Sequence, residues 1–236
     1  MANFLDQVKL AAFPGDFRPP RADLGAWILE APQEVDAWHR RILEMGARAI
    51  RTATWGANRK GLAEVGYGSR VNEANWTAAR IALETVGDSG VPVFGWVGPS
   101  GAAPEESAED YREQLGALLD GGCRLILFEG FSDISDMETA VETLRELHHC
   151  PAVVLVPGRA GADVWEPWRQ RAEGAGADVV GWWLPGPDPE DVQAPVVASA
   201  SGLPGVSRTG LWFAGSGVNT EAYRAWVGQF GQEMKA

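Results

Sequence analysis

Apolar and polar positions follow two rhythms along this chain. Short continuous apolar runs at 47–52, 92–97, 124–129, 152–156 and 178–183 read as strands covered on both faces. Between them the apolar residues recur every third or fourth position, as on one face of a helix. The first such stretch starts at Pro32, carries Val35, Trp38, Ile42 and Met45, and stops at Gly46. The same spacing predicts helices over 70–86, 105–119 (closed by Gly121-Gly122), 136–148 and 164–174. Residues 25–29 read as the first strand, and 195–198 and 211–215 as the seventh and eighth. Asn219 is placed to cap a final helix running to Gly228.

Eight strands with helices between most of them predict an α/β fold, a compact (β/α)8 TIM barrel with shortened or missing helices in its last quarter. An open doubly wound sheet is the alternative. With no internal linker, 1–236 reads as a single TIM-barrel domain. Residues 1–22, interrupted by Pro14-Gly15 and Pro19-Pro20, read as an irregular N-terminal extension.

Composition narrows the classes of partner. A formal charge of −12 over 236 residues argues against nucleic acid and anionic membrane surfaces. No apolar run approaches the roughly 20 residues of a membrane span. The first nine residues lack the basic flank and apolar core of a signal peptide. Two cysteines, Cys123 and Cys150, fit a reduced, cytoplasmic protein.

Candidate chemistry centres on the turn after the second strand, Thr52-Ala53-Thr54-Trp55-Gly56-Ala57-Asn58, because parallel α/β folds place ligands past the carboxyl ends of their strands. The third strand ends in Gly98-Pro99, the fourth in Phe128-Glu129-Gly130. The sixth leads into Trp182-Trp183-Leu184, the seventh into Ser199-Ala200-Ser201-Gly202-Leu203-Pro204, and the eighth into Gly215-Ser216-Gly217-Val218-Asn219. In this order, at strand ends, these segments resemble the homocysteine S-methyltransferase family, which includes betaine-dependent and cobalamin-dependent methionine-forming enzymes. The resemblance covers most of the chain and implies a TIM barrel acting in methyl transfer.

In that family three cysteines, one after strand six and two after strand eight, hold a zinc ion that ionises the homocysteine thiol. The matching positions here are Leu184, Ser216 and Gly217, so the resemblance carries no zinc ligands with it, and no metal site is expected. The family's asparagines after strands two and seven are Ala53 and Ala200. Its glutamate that contacts the substrate amino group matches Glu129, and Asp23 with Gly25-Ala26 matches its N-terminal Asp-Gly motif. A corrinoid or tetrahydrofolate stays open as co-substrate.

The residues also admit plainer readings. Glu129, ending an apolar strand, needs a partner or a raised pKa; Arg51 or Arg59 would supply a salt bridge, a ligand's cationic group would supply the other solution. Trp55, Trp96, Trp182, Trp183 and Trp212 converge on one barrel mouth, either as a cage for a quaternary ammonium or sulfonium cation or as core filling. The Gly215–Asn219 turn suits a phosphate or carboxylate, or is a tight turn with an Asn cap. His39 and the pair His148-His149 fall in or at the ends of helices, where catalysis is not expected. The expected ligand-binding residues are therefore Asp23, Thr52, Thr54, Trp55, Asn58, Trp96, Glu129, Trp183, Gly215, Ser216, Gly217 and Asn219, with Glu129 as the catalytic candidate.

Three functions follow: zinc-independent methyl transfer on a small methylated or amino-acid-like ligand, a non-catalytic binding member of the family, or a phosphate-ligand lyase or isomerase. A thin wall near strands seven and eight predicts a homodimer or a partner protein covering that side.

Overall fold

The computed structural model describes residues 12–13, 23–44, 47, 49–156, 162–182, 196–199 and 212–213. The chain opens with β1 (Ala12–Phe13), α1 (Leu24–Glu30) and α2 (Pro32–Glu44). Then come β2 (Ile50–Arg51), α3 (Arg59–Glu64) and α4 (Val71–Val86). β3 (Val93–Val97), α5 (Pro104–Asp120), β4 (Ile126–Glu129), α6 (Ile134–Leu147) and β5 (Ala152–Val156) follow in strict alternation. The described elements end with α7 (Ala162–Gly174), β6 (Val179–Trp182), β7 (Val196–Ser199) and β8 (Trp212–Phe213).

The strands pair in the order β2-β3-β4-β5-β6-β7, and β1 pairs with β8. Sequential neighbours with first and last strands paired are the order of a (β/α)8 barrel; a doubly wound sheet would reverse direction at a switch point. Pairing is parallel from β2 to β6 and between β1 and β8. β7 departs from the barrel rule by running antiparallel to β6, with a register shift at Val180/Gly181. An antiparallel partner needs no crossover helix, in keeping with the lean sequence between them.

Two expectations are corrected at the amino end. Residues 25–29 form part of helix α1, not the first strand, and that strand is β1, inside the stretch read as irregular. A short apolar run such as Leu24-Gly25-Ala26-Trp27-Ile28 fits a buried helix as well as a strand, and periodicity cannot separate the two. Here all five are buried. Gly25 explains the tight seat: a Cβ there would clash with Leu62 Cδ2. The short helix α3, absent from the sequence reading, is capped by Asn58, whose Oδ1 accepts from Gly61 N at 2.8 Å.

Register and packing separate the two faces of the sheet. Gly95 faces outward, since a Cβ there would meet Leu118 of α5 at 3.2 Å. Its neighbours Phe94 and Trp96 therefore point into the barrel, and with them Arg51, Leu127, Glu129, Val153 and Leu155 by strand pairing. The outward face packs under apolar stripes such as Met137, Ala140, Val141 and Leu144 of α6.

Candidate functional site

The interior layer at the carboxyl ends of the strands is where the apolar filling gives way to charge. Arg51 ends β2, Glu129 ends β4, and Trp96 lies on β3 between them. Arg51 Nη1 donates to Glu129 Oε2 at 2.9 Å, with the side chains only 18% and 13% exposed. The same guanidinium sits over the Trp96 ring, its Cζ 3.7 Å from the centroid. Burial lowers the Arg51 pKa from its ordinary value, and the Glu129 carboxylate opposes that shift. The salt bridge weighed from the sequence is thus present, with Arg51 rather than Arg59. Arg59 instead pairs with Asp110 and Glu113 on α5.

Trp55 closes this arrangement from the loop after β2. Its Nε1 donates to the Glu129 backbone carbonyl at 2.9 Å, and its ring lies 6.4 Å from that of Trp96. Two glycines make room for it. A Cβ on Gly98 would stand 2.5 Å from Trp55 Nε1, and one on Gly130 (φ +87°) 2.9 Å. Trp55 stays 40% exposed. It also lines a cleft of about 320 Å³ with Asp23, Gly25, Leu62, Glu64 and Val65. Trp55, Trp96 and Glu129, all singled out in the sequence, therefore meet at one mouth, while Asp23 shares the neighbouring cleft with Trp55.

Thr52, Thr54 and Asn58 lie behind the wall of that mouth, buried and bonded within the chain. Thr52 Oγ1 accepts from Trp96 N at 2.9 Å and Thr54 Oγ1 donates to Trp96 O at 2.6 Å. The two hydroxyls are 2.6 Å apart, so Thr52 must be the donor between them. Together they extend the β2–β3 ladder through side chains. Asn58 Nδ2 donates to Pro99 O at 2.9 Å, tying the loop after β2 to the loop after β3.

The sequence reading did not single out the residues that brace this loop. Gln114 Nε2 of α5 donates to Thr54 O at 2.8 Å, and Asn75 Nδ2 of α4 to Ala57 O at 2.6 Å. Both are fully buried amides; Asn75 lies on a helical face otherwise apolar, whereas Gln114 shares its buried face with Ser107, Asp110 and Tyr111. His39 also braces it: its Nε2 lies 3.2 Å from Arg51 O, so the neutral ring carries its proton there, and its buried Nδ1 has no partner among the described residues.

Trp183, Gly215, Ser216, Gly217 and Asn219 lie outside the described residues, as do Leu184 and the helix expected after Asn219. Trp182 and Trp212 are placed in β6 and β8. The two cysteines are buried ahead of β4 and β5, at the opposite end of the barrel from Glu129. Burial pushes the Cys123 thiol up to about 12. Among the described residues no group of three or more His, Cys, Asp or Glu side chains is arranged to hold a metal ion. Among those residues, too, no helix is long and apolar enough to cross a membrane.

Residues 8–173 match the family model for homocysteine S-methyltransferase. The chain belongs to that family. It is 28% identical over 122 residues to methionine synthase of Mycobacterium tuberculosis, an alignment covering 47% of this chain and 10% of that protein. It is 27% identical over 174 residues to betaine–homocysteine S-methyltransferase 1 of Danio rerio, covering 66% of the chain and 43% of the relative. The chain thus spans less than half the length of either. The crystal structure of the homocysteine methyltransferase MmuM from Escherichia coli superposes with a TM-score of 0.62 in its metallated form, at 19% identity and 76% coverage of each chain. Its oxidized form gives 0.56 at 15% identity, covering 77% of this chain and 93% of that one. These structures share the TIM-barrel fold.

Proposed function

We propose that this family member binds a small methylated or amino-acid-like ligand at the carboxyl mouth and serves methyl transfer in one-carbon metabolism without a zinc-bound thiolate. The observation that carries the reading is the meeting of Glu129, Arg51, Trp96 and Trp55 at the mouth where the barrel interior turns polar. Glu129 would receive the ligand's cationic group, and Trp55 and Trp96, with Trp183, would wall the pocket. The Gly215–Asn219 turn remains a candidate for an anionic group.

The residues present do not suit the family's zinc. Neither thiol is at the mouth, and the three family positions are Leu184, Ser216 and Gly217. A methyl acceptor here must already be nucleophilic, such as a corrinoid cobalt or an ionised thiol. The buried thiols and the closed Arg51–Glu129 pair favour a second reading, binding without catalysis, and a second subunit or partner protein over the strand seven and eight side belongs to either. A monodisperse monomer in sedimentation would remove that partner. Glu129→Ala tests the binding role: affinity for L-methionine or glycine betaine should vanish while circular dichroism is retained, and unchanged affinity would sink the assignment.

A further inference from the structure

We infer that Tyr111 and Asp136, on the outer helices, are positioning residues for Trp55: together they hold both walls of the slot in which its indole lies at the mouth. The inference concerns the wall of the mouth and goes beyond the ligand reading above, on which it does not rest.

The slot has two glycine walls, one in the loop after β3 and one in the loop after β4. A Cβ on Gly98 or on Gly130 would stand 2.5 or 2.9 Å from Trp55 Nε1, so a small shift of either loop displaces the ring. Tyr111 of α5 reaches both loops. Its hydroxyl oxygen accepts from Ser100 N, two residues past Gly98, at 2.8 Å. Its ring lies 6.3 Å from that of Phe131, the neighbour of Gly130, which in turn packs at a steep angle on Phe128 of β4. Tyr111 is fully buried and Ser100 only 2% exposed, so a bond lost here is poorly replaced by water.

Asp136 of α6 acts through Tyr111. A phenol has one proton to donate, and here it goes to Asp136 Oδ1 at 2.8 Å, which leaves a lone pair of the same oxygen for Ser100 N. Burial pushes the Tyr111 pKa up from its ordinary value, so that proton is retained. The loop after β3 carries two further ties: Asn58 Nδ2 donates to Pro99 O and Lys60 Nζ to Gly101 O. Both come from the segment that carries Trp55 and would travel with it. Tyr111 instead anchors the loop to helices fixed in the core through residues such as Leu115, Leu118, Val141 and Leu144.

The test is water-exchange NMR of the indole N–H groups in unliganded protein. Trp55 is recognised by the resonance lost in Trp55→Phe. Its Nε1–H is bonded to Glu129 O and that of buried Trp27 to Glu34, so Trp27 serves as the control for general loosening. Tyr111→Phe removes only the hydroxyl. It should speed exchange at Trp55 about five- to tenfold, the scale of one lost neutral hydrogen bond, while Trp27 stays unchanged. Asp136→Asn keeps an acceptor for the hydroxyl and should behave as wild type. Asp136→Leu should behave as Tyr111→Phe, and gives the answer if that variant does not fold. Unchanged exchange at Trp55, or equal acceleration at Trp27, would overturn the inference and leave Tyr111 as a filler of the core. Acceleration in Tyr111→Phe but not in Asp136→Leu would overturn the part given to Asp136. Because no ligand enters the measurement, failure of the ligand assignment leaves this result intact, and failure here leaves that assignment intact.

Discussion

Arg51 is held between two partners on neighbouring strands: its Nη1 donates to Glu129 at 2.9 Å while its Cζ stacks 3.7 Å over Trp96. Breaking such a pair should cost more than the pair itself contributes. Arg51→Met is expected to lower stability by about 2–4 kcal/mol, since Glu129 is left in the barrel without its counter-charge. Adding Glu129→Gln should restore most of the loss. Urea unfolding of the single and double variants measures the coupling; additive effects would show that water, not Arg51, balances Glu129.

The same mouth depends on a glycine. Gly130 follows Glu129 at φ +87°, and a Cβ there would stand 2.9 Å from Trp55 Nε1. Gly130→Ala should therefore strain the backbone and push the indole off the Glu129 carbonyl, at a cost of roughly 1–3 kcal/mol. The check is a lower urea midpoint accompanied by greater quenching of tryptophan fluorescence by iodide. A variant as stable as wild type would mean that Trp55 is not seated on this loop.

How much of this was legible in the sequence depends on the kind of signal. Long amphipathic helices and doubly covered strands were readable to within a few residues, because 3.6-residue and continuous apolar patterns directly reflect burial. Residues 25–29 misled because a five-residue apolar run carries no period. The mouth was legible in part: Trp55, Trp96 and Glu129 do meet there, and Asp23 lines only the adjoining cleft with Trp55. Arg51 was seen only as a partner for Glu129, although a charge at the end of an otherwise apolar strand marks a position that must be neutralised. Gln114 and Asn75 could not be found from spacing, since their role is to meet loop carbonyls far away in sequence.

His39 links the site to pH. Desolvation lowers its pKa from 6.5 to about 4, against the smaller upward pull of its bond to the Arg51 carbonyl. The unfolded chain thus binds a proton that the folded chain refuses between these values. Its contribution is complete above pH 6.5 and is lost as pH falls towards 4, on the order of 3 kcal/mol in all. Protonation would also place a second donor on Nδ1, which has no acceptor among the described residues. Unfolding free energies measured across pH 4.5–7.5 should fall more steeply in wild type than in His39→Gln. Parallel curves would assign the acid sensitivity to carboxylates alone.

Metal content offers the most direct test of the chemistry. A thiolate–zinc centre needs ionised sulfur facing the substrate. Cys123 is buried ahead of β4 with its thiol pushed up to about 12, and Cys150 is buried ahead of β5. Moving either to the mouth would require unravelling the strand that follows it, which the packed core opposes. Protein purified without chelator or affinity tag is therefore expected to contain far less than one zinc per chain. Cys123→Ser and Cys150→Ser should change stability without changing ligand affinity. Stoichiometric zinc would mean that ligands come from the loops after the sixth and eighth strands or from another subunit, and it would return activation of a thiol to the centre of the mechanism. On the proposed reading, an absence of zinc would leave nucleophilicity to the acceptor and reduce the barrel's contribution to holding a charged ligand against Glu129 and the indoles.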